Sequence, residues 1–306
     1  MTEITLLDGG MGQELVRRSG KPAAPLWSTQ VMIDHPGLVG AVHSDYADAG
    51  ARVATTNTYA IHRDRLRGGS SNHYASDGTE LANREDQFAD LQAAALREVQ
   101  SVRSRSRIAG SVGPLGASYR PDLHPDVATS VPIYAEVVEI LAPHVDLILF
   151  ETIASLKAAR ACLAAGRASG LPVWLAFTVD DTDGSRLRSG ESMAEAAEIA
   201  RDAGAALANC SVPEAMPAAL DALAKAGVPT GAYGNAFTMI AASFIEGGAT
   251  SEALTAREDM GPSIYADHAM RWLDHGATIL GGCCETGPDH IAEIARRLSA
   301  QGHTIV

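Results

Sequence analysis

The sequence predicts an α/β fold, a single (β/α)8 or TIM barrel with one domain spanning residues 1–306. Three observations predict it. Short apolar runs alternate with longer stretches of helical periodicity, the pattern of a parallel sheet covered by helices. Eight such pairs can be counted in 306 residues, and no change of composition marks a domain boundary. The residues able to do chemistry fall at the ends of the predicted strands, where barrels of this kind carry their sites. An open, doubly wound sheet is the alternative. It has little support, because no Gly-x-Gly-x-x-Gly or P-loop pattern is present.

The first strand, Ile4–Leu7, runs into Asp8-Gly9-Gly10-Met11-Gly12 and sets a carboxylate and backbone N–H groups at its tip. A helix over Pro36–Ala49 stops at Gly50. The second strand is Ala51–Tyr59. Residues 60–79, with Arg63, Arg65, Arg67, Gly68-Gly69 and Ser70-Ser71, are expected to form a mobile excursion or lid. A long amphipathic helix, Thr79–Arg103, leads to the third strand, Arg107–Val112, and the turn Gly113-Pro114-Leu115-Gly116. A helix over Pro132–His144 precedes the fourth strand, Val145–Phe150, which ends in Glu151-Thr152. An Ala-rich helix, Ser155–Ser169, and the fifth strand, Pro172–Val179, follow. The loop Asp180-Asp181-Thr182-Asp183-Gly184 misses the EF-hand spacing at its first and last ligand positions and reads as solvated.

The sixth unit begins with the helix Ser192–Ala203, closed by Gly204, and the strand Ala205–Ala208, which leads into Asn209-Cys210-Ser211. The helix Pro213–Ala226 stops at Gly227, and Pro229–Asn235 is a weaker seventh strand. After a long loop come the helix Pro262–His275, stopped by Gly276, and the eighth strand, Ala277–Leu280. The helix Gly287–Ala300 closes the chain, with Pro288 in its first turn.

Composition limits the function. The net charge of −13 argues against nucleic acid and anionic membrane as partners, since both require basic surface. No apolar run reaches the roughly 18 residues of a membrane span. Met1-Thr2-Glu3-Ile4 lacks the basic-then-apolar form of a signal peptide. Four cysteines in a chain of this length do not make a disulfide framework and suit a reducing cytoplasm, the expected location. A homo-oligomer is compatible with all of this.

Gly281-Gly282-Cys283-Cys284 places two adjacent sulfurs at the tip of the eighth strand, after glycines that let the chain bend and be approached closely. Vicinal cysteines seldom bond to each other, because the geometry is strained. Taken alone, the pair could be small apolar filling. With Cys210 at the tip of the sixth strand, it suggests a three-sulfur metal site. Three protein ligands leave the fourth position of a zinc open, and a soft site suits a substrate thiol there. Cys162 sits mid-helix and reads as a buried small hydrophobe. None of the histidines has metal-ligand spacing. Asp8 could be a turn residue before glycine. Glu151 follows a continuous apolar run and needs a partner if buried, such as a substrate ammonium. Trp27 and Tyr59 could be core aromatics or could face a cationic methyl donor.

Asp8-Gly9-Gly10, Asn209-Cys210 and Gly281-Gly282-Cys283-Cys284 together resemble the homocysteine S-methyltransferase family. Leu26-Trp27-Ser28, Thr56–Ala60, Ala109–Pro114 and Phe150-Glu151-Thr152 extend the resemblance nearly end to end. The resemblance implies a zinc held by Cys210, Cys283 and Cys284, with homocysteine as the thiol acceptor. It also implies that Asp8 and Glu151 lie near the acceptor's amino group, and that backbone N–H groups around Gly9–Gly12 meet its carboxylate. Tyr59 matches a family aromatic near the reacting centre. The implied reaction is transfer of a methyl from a sulfonium or ammonium donor to the thiol, giving methionine. S-methylmethionine or S-adenosylmethionine is the favoured donor, with betaine or another onium compound, or a different thiol acceptor, as the alternative. The sequence departs from the family at Glu285, where many members carry Arg, at Gln13 in place of a small residue, and over residues 233–237. Two readings from other classes are a zinc hydrolase, which the histidines do not supply, and a non-enzymatic redox or metal-binding protein using Cys283 and Cys284.

Overall fold

In the computed structural model, which describes residues 2–68, 82–240 and 254–306, nine short strands make one curled sheet. They are β1 (Glu3–Leu6), β2 (Val53–Thr55), β3 (Arg107–Val112), β4 (Leu147–Ile153), β5 (Val173–Phe177), β6 (Ala205–Asn209), β7 (Thr230–Tyr233), β8 (Ile279–Leu280) and β9 (Thr304–Ile305). Every ladder is parallel, and the order is β2-β3-β4-β5-β6-β7-β8-β1-β9. Between β1 and β2 a single parallel bridge, Leu7 with Val53, is flanked by two backbone hydrogen bonds. Arg52 N–H donates to Leu6 at 2.8 Å and Asp8 N–H donates to Val53 at 3.1 Å.

Among the described residues the α-helices are α1 (Met11–Ser19), α2 (Trp27–Asp34), α3 (Leu38–Asp48), α4 (Arg63–Leu66), α5 (Phe88–Val99), α6 (Val127–Leu141), α7 (Leu156–Arg167), α8 (Met193–Ala200), α9 (Met216–Leu223), α10 (Pro262–Asp274) and α11 (Pro288–Ala300). None of the described helices is long and apolar enough to cross a membrane.

The two-residue period of the strands divides the core. In β4, Ile148 and Phe150 join the layer between sheet and helices, while Leu147 and Leu149 face the inside of the curl. In β5, Leu175 and Phe177 face outward, and Trp174 and Ala176 face inward. Glu151 continues the inward series after Leu147 and Leu149. A strand buried on both faces must be apolar throughout, which is why these segments read as continuous apolar runs.

Several expected boundaries shift for local reasons. Two helices after the first strand, α1 and α2, were not expected; the glycines of 9–12 obscure the start of α1, and α2 is only eight residues long and buries Ser28 and Thr29 beside Val31 and Met32, so it shows no apolar stripe. The second strand is three residues long, not nine, because Thr56–Tyr59 turns away to line the mouth. The helix expected at Pro132 starts earlier, at Val127, because the Asp126 carboxylate caps Thr129 N–H at 2.8 Å. Pro132 lies inside that helix. The helix expected over Thr79–Arg103 is α5 with short 3-10 turns on either side. Its first residues, 79–81, lie outside the described residues, as do residues 69–79 of the expected lid and 241–253 of the long loop. The loop at 180–184 is only partly solvated. Asp180 and Asp183 accept from their own loop, but Asp181 turns inward to Arg188 in an ion pair of 2.7 Å whose side chains are 8% and 9% exposed.

His43 in α3 is fully buried, and neither of its ring nitrogens has a hydrogen-bond partner. Burial lowers its pKa from 6.5 to about 3. The unfolded chain therefore takes up this proton first on acidification. The stability it confers is complete above pH 6.5 and is lost as pH falls towards 3, by about 1.4 kcal/mol per pH unit. His43→Leu removes that contribution. Melting temperatures measured from pH 7 to pH 4 are expected to fall less steeply in the variant than in the wild type, and equal slopes would show that His43 is not buried in its neutral form.

Candidate metal centre

Cys210, Cys283 and Cys284 come from the tips of β6 and β8, and their three sulfurs all lie within 4.8 Å of one another. Backbone hydrogen bonds between neighbouring tips hold them there. Cys210 N–H donates to Tyr233 at 3.1 Å, Cys283 N–H to Gly234 at 3.0 Å, and Ala236 N–H to the Cys284 carbonyl at 3.0 Å. Gly282 N–H donates to Asp8 at 3.0 Å, which ties the cysteine loop to the tip of β1. Gly10 is required for this approach, since a Cβ there would collide with the Cys283 carbonyl. Strand parity would send Cys210 outward with Ala206 and Ala208. A left-handed φ of 48° turns it back.

The donor set fits a thiophilic metal. Cys210 and Cys284 sulfurs are 3.7 Å apart. A tetrahedral ion with bonds of about 2.3 Å spaces its sulfurs about 3.8 Å apart. Hydrogen bonds from Cys283, Cys284 and the Tyr119 phenol hold the Cys210 thiol well below the usual thiol range, against its burial. Donating to Cys210, together with burial, pushes Cys283 and Cys284 above that range. One sulfur thus ionises readily and the other two resist, as three thiolates at this spacing require a cation among them. Tyr119, Phe237, Ile240 and Leu254 pack around the sulfurs.

Tyr119, which carries no sequence motif, places its hydroxyl 3.0 Å from Cys210 Sγ. Burial first, and then the neighbouring thiols, raise its pKa far above 10, so the phenol stays protonated and donates. Arg188 lies over its ring at 5.3 Å. The partner of Arg188, Asp181, accepts from Val212 N–H at 3.1 Å and Ile240 N–H at 3.0 Å. Asp181 thereby anchors both the segment after Cys210 and the apolar cover of the sulfurs.

Asp8 and Glu151 line the same pocket as the sulfurs. Asp8 is 2% exposed and accepts from Thr55 N–H at 2.7 Å and from its hydroxyl at 2.9 Å. Burial nevertheless raises its pKa to about 8, with Glu151 adding to the rise. Glu151 accepts from the Ser111 hydroxyl, and from Tyr233 at 3.0 Å; burial raises it to about 7. Neither carboxylate is in an ion pair among the described residues. The sheet register shifts at Glu151 between Phe150 and Ile153. Thr152 has a φ of 58° there, and the Asn209 side chain bonds its N–H at 3.0 Å. Asn209 thus supports the bulge that carries Glu151.

Trp27 and Tyr59 also line the pocket, with ring centroids 6.2 Å apart and planes at 75°. Arg65, a lining cation, lies over Tyr59 at 5.3 Å and donates to the Pro114 carbonyl at 3.1 Å. Gly9, Gly10 and Gly12 border the cavity, but Gly10 N–H is already donated to Thr286 at 2.8 Å. Cys162 is buried in α7, away from the three sulfurs, and burial pushes its thiol up.

Residues 5–298 match the sequence profile of the family described as homocysteine S-methyltransferase. The chain belongs to the homocysteine S-methyltransferase family. The homocysteine S-methyltransferase of Escherichia coli K12 is 29% identical over 312 residues, covering 96% of this chain and 95% of that one. Homocysteine S-methyltransferase 4 of Zea mays is 28% identical, over 95% and 88% of the two chains. A selenocysteine methyltransferase of Astragalus bisulcatus is 29% identical, over 96% and 92%. The metallated form of the E. coli homocysteine methyltransferase MmuM superposes with a TM-score of 0.75 at 27% identity, covering 96% of each chain. Family membership makes the chain an enzyme, a homocysteine S-methyltransferase.

Substitution of Cys210 by Ala is expected to drop bound metal from about one ion per chain to near zero, since two remaining thiolates make a poor site. Elemental analysis of the purified protein, with circular dichroism to confirm folding, reads the outcome; full occupancy in the variant would exclude a three-sulfur site.

Proposed function

We propose that the enzyme methylates homocysteine on sulfur to give methionine, using a zinc ion held by Cys210, Cys283 and Cys284 and a small sulfonium donor, S-methylmethionine or S-adenosylmethionine. The observation that carries this reading is the convergence of three sulfurs with two carboxylates, Asp8 buried and Glu151 half-buried, that lack an ion-pair partner among the described residues. When bound, zinc lowers the pKa of an acceptor thiol so that a thiolate is available near neutral pH.

The chain's own residues do the positioning. Asp8 and Glu151 receive the acceptor's ammonium group, which supplies the cation their burial calls for. The N–H groups left over at the start of α1 receive its carboxylate, while Gly9 and Gly10 let that turn lie against Thr286 and Cys283. Trp27 and Tyr59 flank the cationic donor. The acceptor sulfur attacks the donor's methyl carbon, and a C–S bond forms as the bond from that carbon to the onium atom breaks. The electron pair stays on the former onium atom, and the thiol proton goes to solvent. Holding the reactants in line supplies much of the rate.

The same reading takes the curled sheet as a closed (β/α)8 barrel, which the Leu7–Val53 bridge and its flanking hydrogen bonds support. It places the enzyme in the cytoplasm, where three thiols stay reduced.

The test is methionine formation from homocysteine, read by mass spectrometry against S-methylmethionine, S-adenosylmethionine and betaine. A product with a sulfonium donor is expected, and no product with any donor would remove the assigned reaction. Asp8→Asn and Glu151→Gln are each expected to raise the homocysteine KM by about 10-fold to 100-fold, the worth of one charged hydrogen bond. Metal content should not change. An unaltered KM would take the ammonium away from that carboxylate.

A further inference from the structure

Gln13 and Glu285 are 272 positions apart in the sequence. Their side chains meet, with Gln13 Nε2 donating to Glu285 Oε1 at 2.5 Å. The other end of the same amide accepts from the Trp27 indole N–H at 2.9 Å. A carboxylate can only accept and an indole N–H can only donate, so the amide has one orientation. Gln13 is the side chain that satisfies both ends. Glu at this position would oppose Glu285, and an aliphatic residue would bond to neither. Among the described residues Glu285 makes no other hydrogen bond or ion pair.

Both ends of this relay sit on constrained backbone. Trp27 has a φ of 47° and Glu285 a φ of 62°, and such values in non-glycine residues mark segments held in place by their surroundings. Glu285 directly follows the cysteine pair, and Trp27 lines the pocket. A Cβ on Gly12 would run into the indole, so α1 lies directly against the ring. The charge of Glu285 polarises the amide and, through it, the indole N–H. An indole whose N–H is drawn towards an acceptor presents a more electron-rich face, and such a face attracts a cation more strongly.

We infer that Gln13 and Glu285 are positioning residues that fix and polarise Trp27 as the recognition face for an onium methyl donor, coupling the donor wall to the loop that carries Cys283 and Cys284. This rests on the methyl-transfer reading, and its test is built to be read without turnover. The probe is trimethylsulfonium, titrated into the metal-loaded protein while tryptophan emission is followed, with Trp27→Phe as the baseline for Trp174 and Trp272. Gln13→Leu is expected to weaken trimethylsulfonium binding by about 10-fold. Glu285→Gln, which keeps an acceptor but loses the charge, is expected to weaken it by about 3-fold. In the Trp27→Phe background, where emission no longer reports on the site, calorimetric titration of trimethylsulfonium should show no further effect of Gln13→Leu, because the relay then has nothing to act on. Equal affinities in wild type and Gln13→Leu, or an undiminished effect of Gln13→Leu without Trp27, would overturn the inference. The methionine assay is read separately. Failure there with intact sulfonium binding removes the reaction and leaves the relay, and the reverse result removes the relay alone.

Discussion

The site depends on backbone hydrogen bonds that join the tips of β6, β7, β8 and β1 beyond the ends of the regular ladder. Ser211 with Asn235, Cys210 with Tyr233, Cys283 with Gly234 and Asp8 with Gly282 are links of one belt. These links bring sulfur from two strands and a carboxylate from a third to one point. Backbone strain gathers around the same site. Among the described residues the non-glycine positions with left-handed φ are Trp27, Tyr119, Thr152, Cys210 and Glu285. Four of them line the pocket, and the fifth follows the cysteine pair. Strain of this kind costs about 1–3 kcal/mol per residue and persists only where the surroundings over-determine it. Here those surroundings are the belt, the Asn209 brace under Thr152 and the Asp181–Arg188 strut beside Tyr119.

What the fold makes legible in the sequence follows from burial. Strands buried on both faces must be apolar, and several of the segments between them close at or next to a glycine such as Gly50, Gly227 or Gly276, so the order of elements could be read directly. Cys210, Cys283, Cys284, Asp8 and Glu151 were legible for the complementary reason that a polar or sulfur-bearing residue at the end of such a strand stands out. The two extra helices after β1 escaped because α1 begins among glycines and α2 is short. The last strand, β9, is two residues long and has no period to detect. Tyr119 was not legible: its role depends on a backbone turn that brings a loop aromatic to Cys210, and no spacing announces that. Asp181 was misjudged because its neighbours Thr182 and Asp183 are exposed, and the inward turn of a single carboxylate leaves no trace in composition. The bulge at Glu151 was equally silent, although its brace, Asn209, sits beside Cys210 in the sequence.

Gln13 and Glu285 show what a sequence can flag without explaining. Each residue looked like an isolated exception at the mouth. In the fold they form one hydrogen bond, so the two exceptions are a single structural event. A change at either position alone would leave an amide or a carboxylate without its partner, and a half-satisfied polar pair is costlier than none. The pair therefore belongs together, and its effect reaches the pocket through Trp27 rather than by direct contact.

The charge of the pocket suggests how the proposed reaction turns over. Asp8, Glu151 and three sulfurs are acids whose ionisation calls for a cation beside them, and Arg65 is committed to the Tyr59 face and the Pro114 carbonyl. Such surroundings favour cations: a metal at the sulfurs, an ammonium at the carboxylates, and an onium at the aromatic wall. Methyl transfer changes only the last of these. A sulfonium donor leaves as a neutral thioether and loses its attraction to the indole face, while the ammonium that anchors the acceptor is unchanged. Attraction that falls as charge disappears from the donor helps its spent form to depart, and a metal held by Cys210, Cys283 and Cys284 would bind a neutral thioether less well than a thiolate. Release of both products is thus favoured by the same loss of charge that accompanies bond formation.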